Sequence, residues 1–323
     1  MSPRPTVVAT RRLPDAVEER LRSLFDVRLN SADVPLDALA LAAAMRDADA
    51  LVPTVTDRID GLLLGLPGRR VRILSNFGVG FNNIDVAAAK ANGVIVTNTP
   101  DVLTDDTADL AITLLLMVAR RTGEGERLVR TGAWTGWRPT QLLGTRVTGK
   151  TLGLIGFGRI GRAVAERARN GFRMRVLFHD PYTADADAMA LGAERRASME
   201  DVLCESDYVS LHCPATPETH HLMNAARLAL MRPSAFLVNT SRGDVVDEAA
   251  LTSALRAGTI AGAGLDVFER EPAVPRELIA LDNVVLLPHL GSATEETRVA
   301  MGNRVIDNLA AFFNGGAPRD RVA

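Results

Sequence analysis

The stretch Thr151-Leu-Gly-Leu-Ile-Gly156-Phe-Gly158-Arg-Ile-Gly161 decides the reading of this 323-residue chain. An apolar run leads into glycines spaced G-x-G-x-x-G, and Ile160, Val164 and Ala168 follow at helical spacing. In that context Gly156 permits a tight turn, Gly158 lets backbone approach a pyrophosphate, and Gly161 lets helix and strand pack closely. The helix N-terminus adds free N–H groups and partial positive charge for phosphates. Asp180 stands 19 residues beyond Gly161, at the end of the next apolar run. An acid there accepts ribose hydroxyls and repels a 2′-phosphate. Residues 181–185 hold no arginine to receive one, so NAD is expected, NADH over NADPH, with NADP as the alternative.

Outward from this loop, short β-branched runs alternate with helical stretches, the pattern of α/β architecture with parallel sheets. Six strand candidates occupy the second half, at 151–155, 175–178, 208–211, 236–238, 261–265 and 284–287. Together they suffice for a doubly wound dinucleotide fold. The first hundred residues carry five more, at 6–9, 26–29, 50–52, 71–75 and 94–96, with helices expected at 14–24, 36–46 and 85–91. A single long helix is expected over 105–130, its run 110–119 apolar nearly all round, and the segment after it holds both tryptophans, Trp134 and Trp137.

The composition fits a globular protein of two domains, 47% hydrophobic and 24% charged. A net charge of −2 argues against nucleic acid and anionic membrane as partners. Lys90 and Lys150 are the only lysines, so nearly all positive charge is arginine. Two cysteines, Cys204 and Cys213, imply no disulfide framework. No apolar run reaches the ~18 residues of a membrane span. The N-terminal residues show no basic segment followed by an apolar stretch, so a cytoplasmic protein is expected.

In an open α/β sheet, ligands bind beyond the carboxyl ends of the strands. Three candidate strands end in Asn239-Thr-Ser-Arg242-Gly, in Asp266-Val-Phe-Glu269-Arg-Glu271-Pro and in Pro288-His289-Leu-Gly-Ser-Ala-Thr. An arginine, an acid and a histidine thereby fall at one sheet edge. These motifs, with the glycine loop, resemble the D-isomer-specific 2-hydroxyacid dehydrogenases over essentially the whole chain. The resemblance implies catalytic roles for Arg242, Glu271 and His289. Its register, glutamate directly before proline and 29 residues after the arginine, selects Glu271 over Glu269. The residue types suit the chemistry. An arginine fork grips the carboxylate of a 2-keto acid and polarises the neighbouring carbonyl. A histidine gives a proton to the alkoxide in reduction and takes it back in oxidation, and an acid beside it favours the imidazolium. His179, His212, His220 and His221 are expected to be structural or surface residues.

The resemblance also places Asp266 against the nicotinamide carboxamide and Thr107 near the cofactor phosphates. Arg159, Ile160, Cys213 and Pro214 fall along the cofactor as well, as do Thr219, Thr240, Ser241 and Gly291. After a strand of the first domain, Ser75-Asn-Phe-Gly78-Val79-Gly80 offers backbone N–H groups to an anion. In the family this loop holds the substrate carboxylate opposite the arginine, which points to Val79 and Gly80 with Asn76 nearby. Trp137 is similar to a family tryptophan that reaches a partner's substrate cleft, so a homodimer built on 105–130 and 134–139 is expected. The apolar run 110–119 is too long to hide easily on one small domain.

The implied fold is α/β, with two Rossmann-like domains and a cleft between them. A flavodoxin-like substrate domain spans 1–99 and 290–323, and a doubly wound NAD-binding domain spans 100–289. The phrase Thr99-Pro-x-x-Leu-Thr-x-x-Thr-Ala-Asp is similar to glyoxylate/hydroxypyruvate reductases and 2-ketogluconate reductases. Phosphoglycerate dehydrogenases usually differ here, and many carry a further regulatory domain, for which the residues up to Ala323 leave no room. The expected reaction is reduction of small 2-keto acids such as glyoxylate and hydroxypyruvate to D-2-hydroxy acids, with no metal. The alternatives are a D-lactate, phenyllactate or 2-ketogluconate type of substrate, and a dinucleotide-sensing corepressor-like binding protein.

Overall fold

The computed structural model describes residues 4–184, 188 and 190–323. Asp185, the last residue of the arginine-free stretch, and residues 1–3 lie outside the described residues. The chain divides into two compact units, 1–103 with 293–323, and 104–292.

The first unit is built on strands β1 (Thr6–Ala9), β2 (Asp26–Leu29), β3 (Ala50–Val52), β4 (Ile73–Ser75) and β5 (Ile95–Thr97). All pair in parallel in the order β2-β1-β3-β4-β5, the flavodoxin-like arrangement. Val8, Leu51, Leu74 and Val96 project from four strands into one apolar layer with Leu41, Met45 and Leu64. The helix Glu295–Phe313, capped by Thr294, packs against this sheet and against the helix Asp15–Leu24. Residues 320–323 then pair antiparallel along β5, through the bridge between Thr97 and Arg321.

The second unit carries β6 (Thr151–Ile155), β7 (Arg175–His179), β8 (Glu194–Arg195), β9 (Tyr208–Leu211), β10 (Phe236–Asn239), β11 (Gly262–Leu265) and β12 (Val284–Leu286). Their order is β12-β11-β10-β9-β6-β7-β8, all parallel, which is the doubly wound arrangement with one added edge strand. Alternate side chains feed two cores. Leu152, Leu154, Val176, Phe178 and Val238 face the helices Thr104–Ala119 and Arg159–Phe172. Leu177, Val209, Leu211 and Leu237 face the helices Met199–Glu205 and Glu248–Ala257. Burial on both faces explains why these strands, β8 apart, read as largely apolar runs.

Two expectations fail. The helix expected over 105–130 is two helices, Thr104–Ala119 and Thr122–Arg130, parted where Arg121 adopts φ 52°. A tertiary contact closes the first: Thr145 N donates to Ala119 O at 2.8 Å, while Gly144 packs against that same carbonyl. The apolar run 110–119 is also hidden within its own unit, with Ala111, Leu114, Leu115 and Val118 buried against the sheet. It is the helix Thr122–Arg130 that has no fully buried residue.

Candidate active site

The glycine loop joins β6 to the helix Arg159–Phe172, which has Gly158 as its N-cap and no side-chain cap. Gly156 has φ +93°, and a Cβ there would lie 2.7 Å from the His212 carbonyl carbon and 2.8 Å from Cys213 N. Only glycine fits both the left-handed backbone and that approach. A Cβ on Gly158 would meet nothing within 4 Å, so this face of the turn is open to a ligand. The Asp180 carboxylate organises the turn. Its Oδ2 accepts from Phe157 N at 2.6 Å, and its Oδ1 accepts from Tyr182 N and Thr183 N at 2.7 and 3.1 Å. Arg195 donates to the Asp180 carbonyl at 2.5 Å and lies over the Phe178 ring. Arg196 is held by Glu205 and Glu194.

Beyond β10, the buried Asn239 side chain folds the strand end into a turn. Its Oδ1 accepts from Ser241 N and Oγ at 3.0 and 2.7 Å, and its Nδ2 donates to Arg242 O at 2.8 Å. Arg242 thereby emerges at the carboxyl edge. Burial lowers its pKa, the Glu271 and Asp244 carboxylates oppose that effect, and the guanidinium stays charged. Gly243 then packs backbone to backbone on the next loop, so close that a Cβ would lie 1.9 Å from the Phe268 carbonyl carbon.

That loop follows β11 and carries both glutamates. The structure sets Glu271 against the histidine: Glu271 Oε2 lies 2.8 Å from His289 Nδ1, and Oε1 accepts from Phe268 N at 3.0 Å. Burial works to raise the Glu271 pKa, but the His289 hydrogen bond and charge, the Phe268 N–H and Arg242 hold the carboxyl below its ordinary value. Glu269 turns elsewhere, accepting from Glu248 N at 2.9 Å and pairing with His221 Nε2 at 3.0 Å. His289 itself has φ 57°, and its N–H donates to Asp266 O. With Nδ1 on the carboxylate, Nε2 is the nitrogen left for a substrate proton.

Asp266, Thr107 and Gly291 come together. Asp266 Oδ1 accepts from Leu290 N at 2.6 Å and Oδ2 from Gly291 N at 2.8 Å, while Thr107 Oγ1 donates to Gly291 O at 2.8 Å. Burial raises the Asp266 pKa against the pull of those N–H groups and His289. Thr219 Oγ1 donates to Pro214 O at 2.7 Å, shaping the loop after β9. Burial pushes the Cys213 thiol up to about 11, which leaves it protonated and unreactive. The Thr240 hydroxyl is buried and has no partner among the described residues. An open Gly158 face, uncapped helix N–H groups and this orphaned hydroxyl together fit a bound dinucleotide.

In the first unit, Val79 and Gly80 are partly exposed at the carboxyl end of β4, and no partner for their N–H groups is found among the described residues. Asn76 is buried, and its Nδ2 donates to Gly80 O at 2.9 Å and Gly78 O at 3.3 Å. It shapes the loop from beneath. Sequence reasoning missed Asn98, whose Nδ2 donates to Val79 O at 2.8 Å. Its place just past β5, at the same sheet edge, is the signal that could have found it. Trp134 and Trp137 project from residues 131–140, all exposed, Trp137 to 81%.

Comparison with known proteins gives a consistent picture. Residues 112–291 match the family described as D-isomer specific 2-hydroxyacid dehydrogenase, NAD binding domain. The glyoxylate reductase of Thermococcus kodakarensis is 48% identical over 98% of this chain and 95% of its own. Among solved structures, the NADPH-dependent glyoxylate/hydroxypyruvate reductase of Sinorhizobium meliloti, in complex with NADP and malonate, is 38% identical with a TM-score of 0.87, covering 99% of this chain and 97% of that one. A glyoxylate reductase from Paecilomyes thermophila is 31% identical with a TM-score of 0.87, covering 100% and 99%.

Proposed function

The chain belongs to the D-isomer specific 2-hydroxyacid dehydrogenase family, and from that premise we propose that it reduces glyoxylate and hydroxypyruvate to D-2-hydroxy acids with NADH preferred. As a family member it is an oxidoreductase that reduces 2-keto acids with NAD(P)H. The observation that carries the reading is the His289–Glu271 pair, 2.8 Å apart, formed at the sheet edge that also carries Arg242. Arg242 grips the substrate carboxylate by charge-assisted hydrogen bonds and draws electron density from the carbonyl oxygen. The nicotinamide, when bound, supplies the hydride. His289 gives a proton to the oxygen as it becomes an alkoxide, and Glu271 stabilises the imidazolium that does so. The Val79 and Gly80 N–H groups receive the carboxylate from the first unit, with Asn76 positioning them and Trp137 contributing to the substrate site of a partner.

In this reading the dinucleotide domain is 100–289 and the substrate domain is 1–99 with 290–323. Gly156, Gly158, Arg159, Ile160 and Gly161 take the pyrophosphate, and Asp180 takes the adenosine ribose. Thr107, Cys213, Pro214 and Thr219 line the same cofactor, and so do Thr240, Ser241, Asp266 and Gly291. We infer a homodimer from the exposed tryptophan arm and from the helix Thr122–Arg130, which has no fully buried residue within its own chain. No helix among the described residues is long and apolar enough to cross a membrane. Cys204 and Cys213 are free thiols, in keeping with a cytoplasmic setting. Turnover with glyoxylate, hydroxypyruvate, pyruvate, 2-ketogluconate and phosphohydroxypyruvate tests the proposal. Highest kcat/KM on the first two supports it, and preference for another rewrites the substrate.

A further inference from the structure

All three carbonyls of residues 78–80 are drawn inward by donors. Gly78 O accepts from Thr99 N at 3.1 Å and from Asn76 Nδ2, Gly80 O accepts from Asn76 Nδ2, and Val79 O accepts from Asn98 Nδ2 at 2.8 Å. A peptide plane whose carbonyl is held on one side presents its N–H on the other. The Val79–Gly80 peptide therefore owes its orientation to Asn98, and Asn98 is itself anchored. Its N–H donates to Asp320 O at 3.2 Å, in the segment paired along β5. Asp320 is buried and ion-paired with Arg304, whose Nη2 donates to Oδ1 at 2.9 Å and whose Nε lies 2.6 Å from Oδ2 without hydrogen-bond geometry. Asn308 Nδ2 donates to Oδ2 at 3.0 Å, and Asn308 Oδ1 accepts from Asp320 N at 3.2 Å. Arg304 and Asn308 both stand on the helix Glu295–Phe313, a rigid support in the same unit.

We propose that Asp320 is a positioning residue for the substrate carboxylate, acting through Asn98 on the Val79–Gly80 peptide. The proposal rests on the reading that the Val79 and Gly80 N–H groups receive that carboxylate. It extends the site to a buried ion pair that touches neither substrate nor cofactor. Burial makes the tether firm, because Asp320 without Arg304 would be a buried carboxylate with only the neutral Asn308 beside it, whereas Arg304 also has Asp101 at 3.7 Å. Its purpose is specificity of position: a nest tilted away from its anion loses a charge-assisted hydrogen bond, which is worth about tenfold or more in affinity.

The test is a set of variants in the full-length protein, with KM and kcat for glyoxylate, NADH affinity by fluorescence, and thermal unfolding. Asn98→Ala and Asp320→Ala should each raise KM by about tenfold and leave NADH affinity unchanged, and the double variant should be no worse than the worse single one. Additive losses in KM overturn the relay. So does a folded Asn98→Ala with native KM, which decides the matter even if Asp320→Ala does not fold. Gly80→Pro, which deletes the N–H of the Val79–Gly80 peptide outright, separates this proposal from its premise. If Gly80→Pro raises KM and the tether variants do not, the nest stands and the tether is wrong. If Gly80→Pro also leaves KM unchanged, the nest reading fails and the tether with it.

Discussion

Replacing Gly243 by alanine should separate the two loops that carry the catalytic groups. The added Cβ would sit 1.9 Å from the Phe268 carbonyl carbon, 2.1 Å from its oxygen and 2.3 Å from Glu269 N. These are backbone atoms with no rotamer to escape into. Ordinary contact begins at 3.4 Å, so the strand end and the loop must part by about 1.5 Å in a close-packed interior. On one side of the contact is Arg242, the residue before Gly243. On the other is Glu271, hydrogen-bonded to Phe268 N and to His289. A displacement of about 1 Å in such an arrangement costs on the order of a hundredfold in rate. Gly243→Ala should therefore lower kcat/KM for glyoxylate by roughly a hundredfold, with a smaller loss of NADH affinity because Thr240, Ser241 and Asp266 flank the same contact. Steady-state kinetics with a parallel fluorescence titration and a thermal melt read all three quantities. A folded variant with kcat/KM within threefold of native refutes the reasoning, because the loops could then be separated without consequence.

Three further outcomes follow from the same geometry. Asp180→Ser should shift the kcat/KM ratio toward NADPH and weaken NADH, since it removes both the anion that repels a 2′-phosphate and the acceptor for three loop N–H groups; an unchanged ratio removes Asp180 from cofactor choice. Burial holds the His212 imidazole down at about 4, against 6.5 in the unfolded chain, so between those values the unfolded state binds the extra proton and stability falls as pH falls, by up to about 3 kcal/mol. Urea unfolding across that window should show the slope in the native protein and a flatter one in His212→Gln, and equal slopes would contradict it. Light scattering should report a dimer at micromolar concentration that weakens in the Trp134→Ala, Trp137→Ala double variant; a native protein that is monomeric and fully active would show that the exposed arm serves no partner.

The parts of this fold that were legible in sequence are those written locally. Four strands of the first unit and six of the second announce themselves as largely apolar runs, because parallel strands are buried on both faces, while the edge strand β2, Asp26-Val-Arg-Leu29, shows only an alternation of polar and apolar residues. β8 shows neither. Glu194 and Arg195 carry no apolar pattern, and the strand exists because it pairs with Leu177 and Phe178 and because Glu194 meets Arg175 at 2.7 Å. The break at Arg121 was illegible for a similar reason, since the donor that closes the first helix comes from Thr145, far along the chain. In the site, strand ends and the glycine loop could be read directly. The choice of Glu271 over Glu269 came from a family register, and its physical basis, His289 on one and His221 on the other, is visible only in three dimensions. Asn98 and Asp320 lie 222 residues apart in the chain, and no local pattern joins them.

The most direct test of the central claim is the kcat of His289→Ala for glyoxylate, measured with saturating NADH beside the variant's NADH affinity. A proton donor acts on the reaction and not on cofactor binding, so kcat should fall by at least a hundredfold with NADH affinity unchanged. A variant that keeps near-native kcat across neutral pH would contradict the account, because no other group in the site holds a proton for the substrate oxygen in this reading.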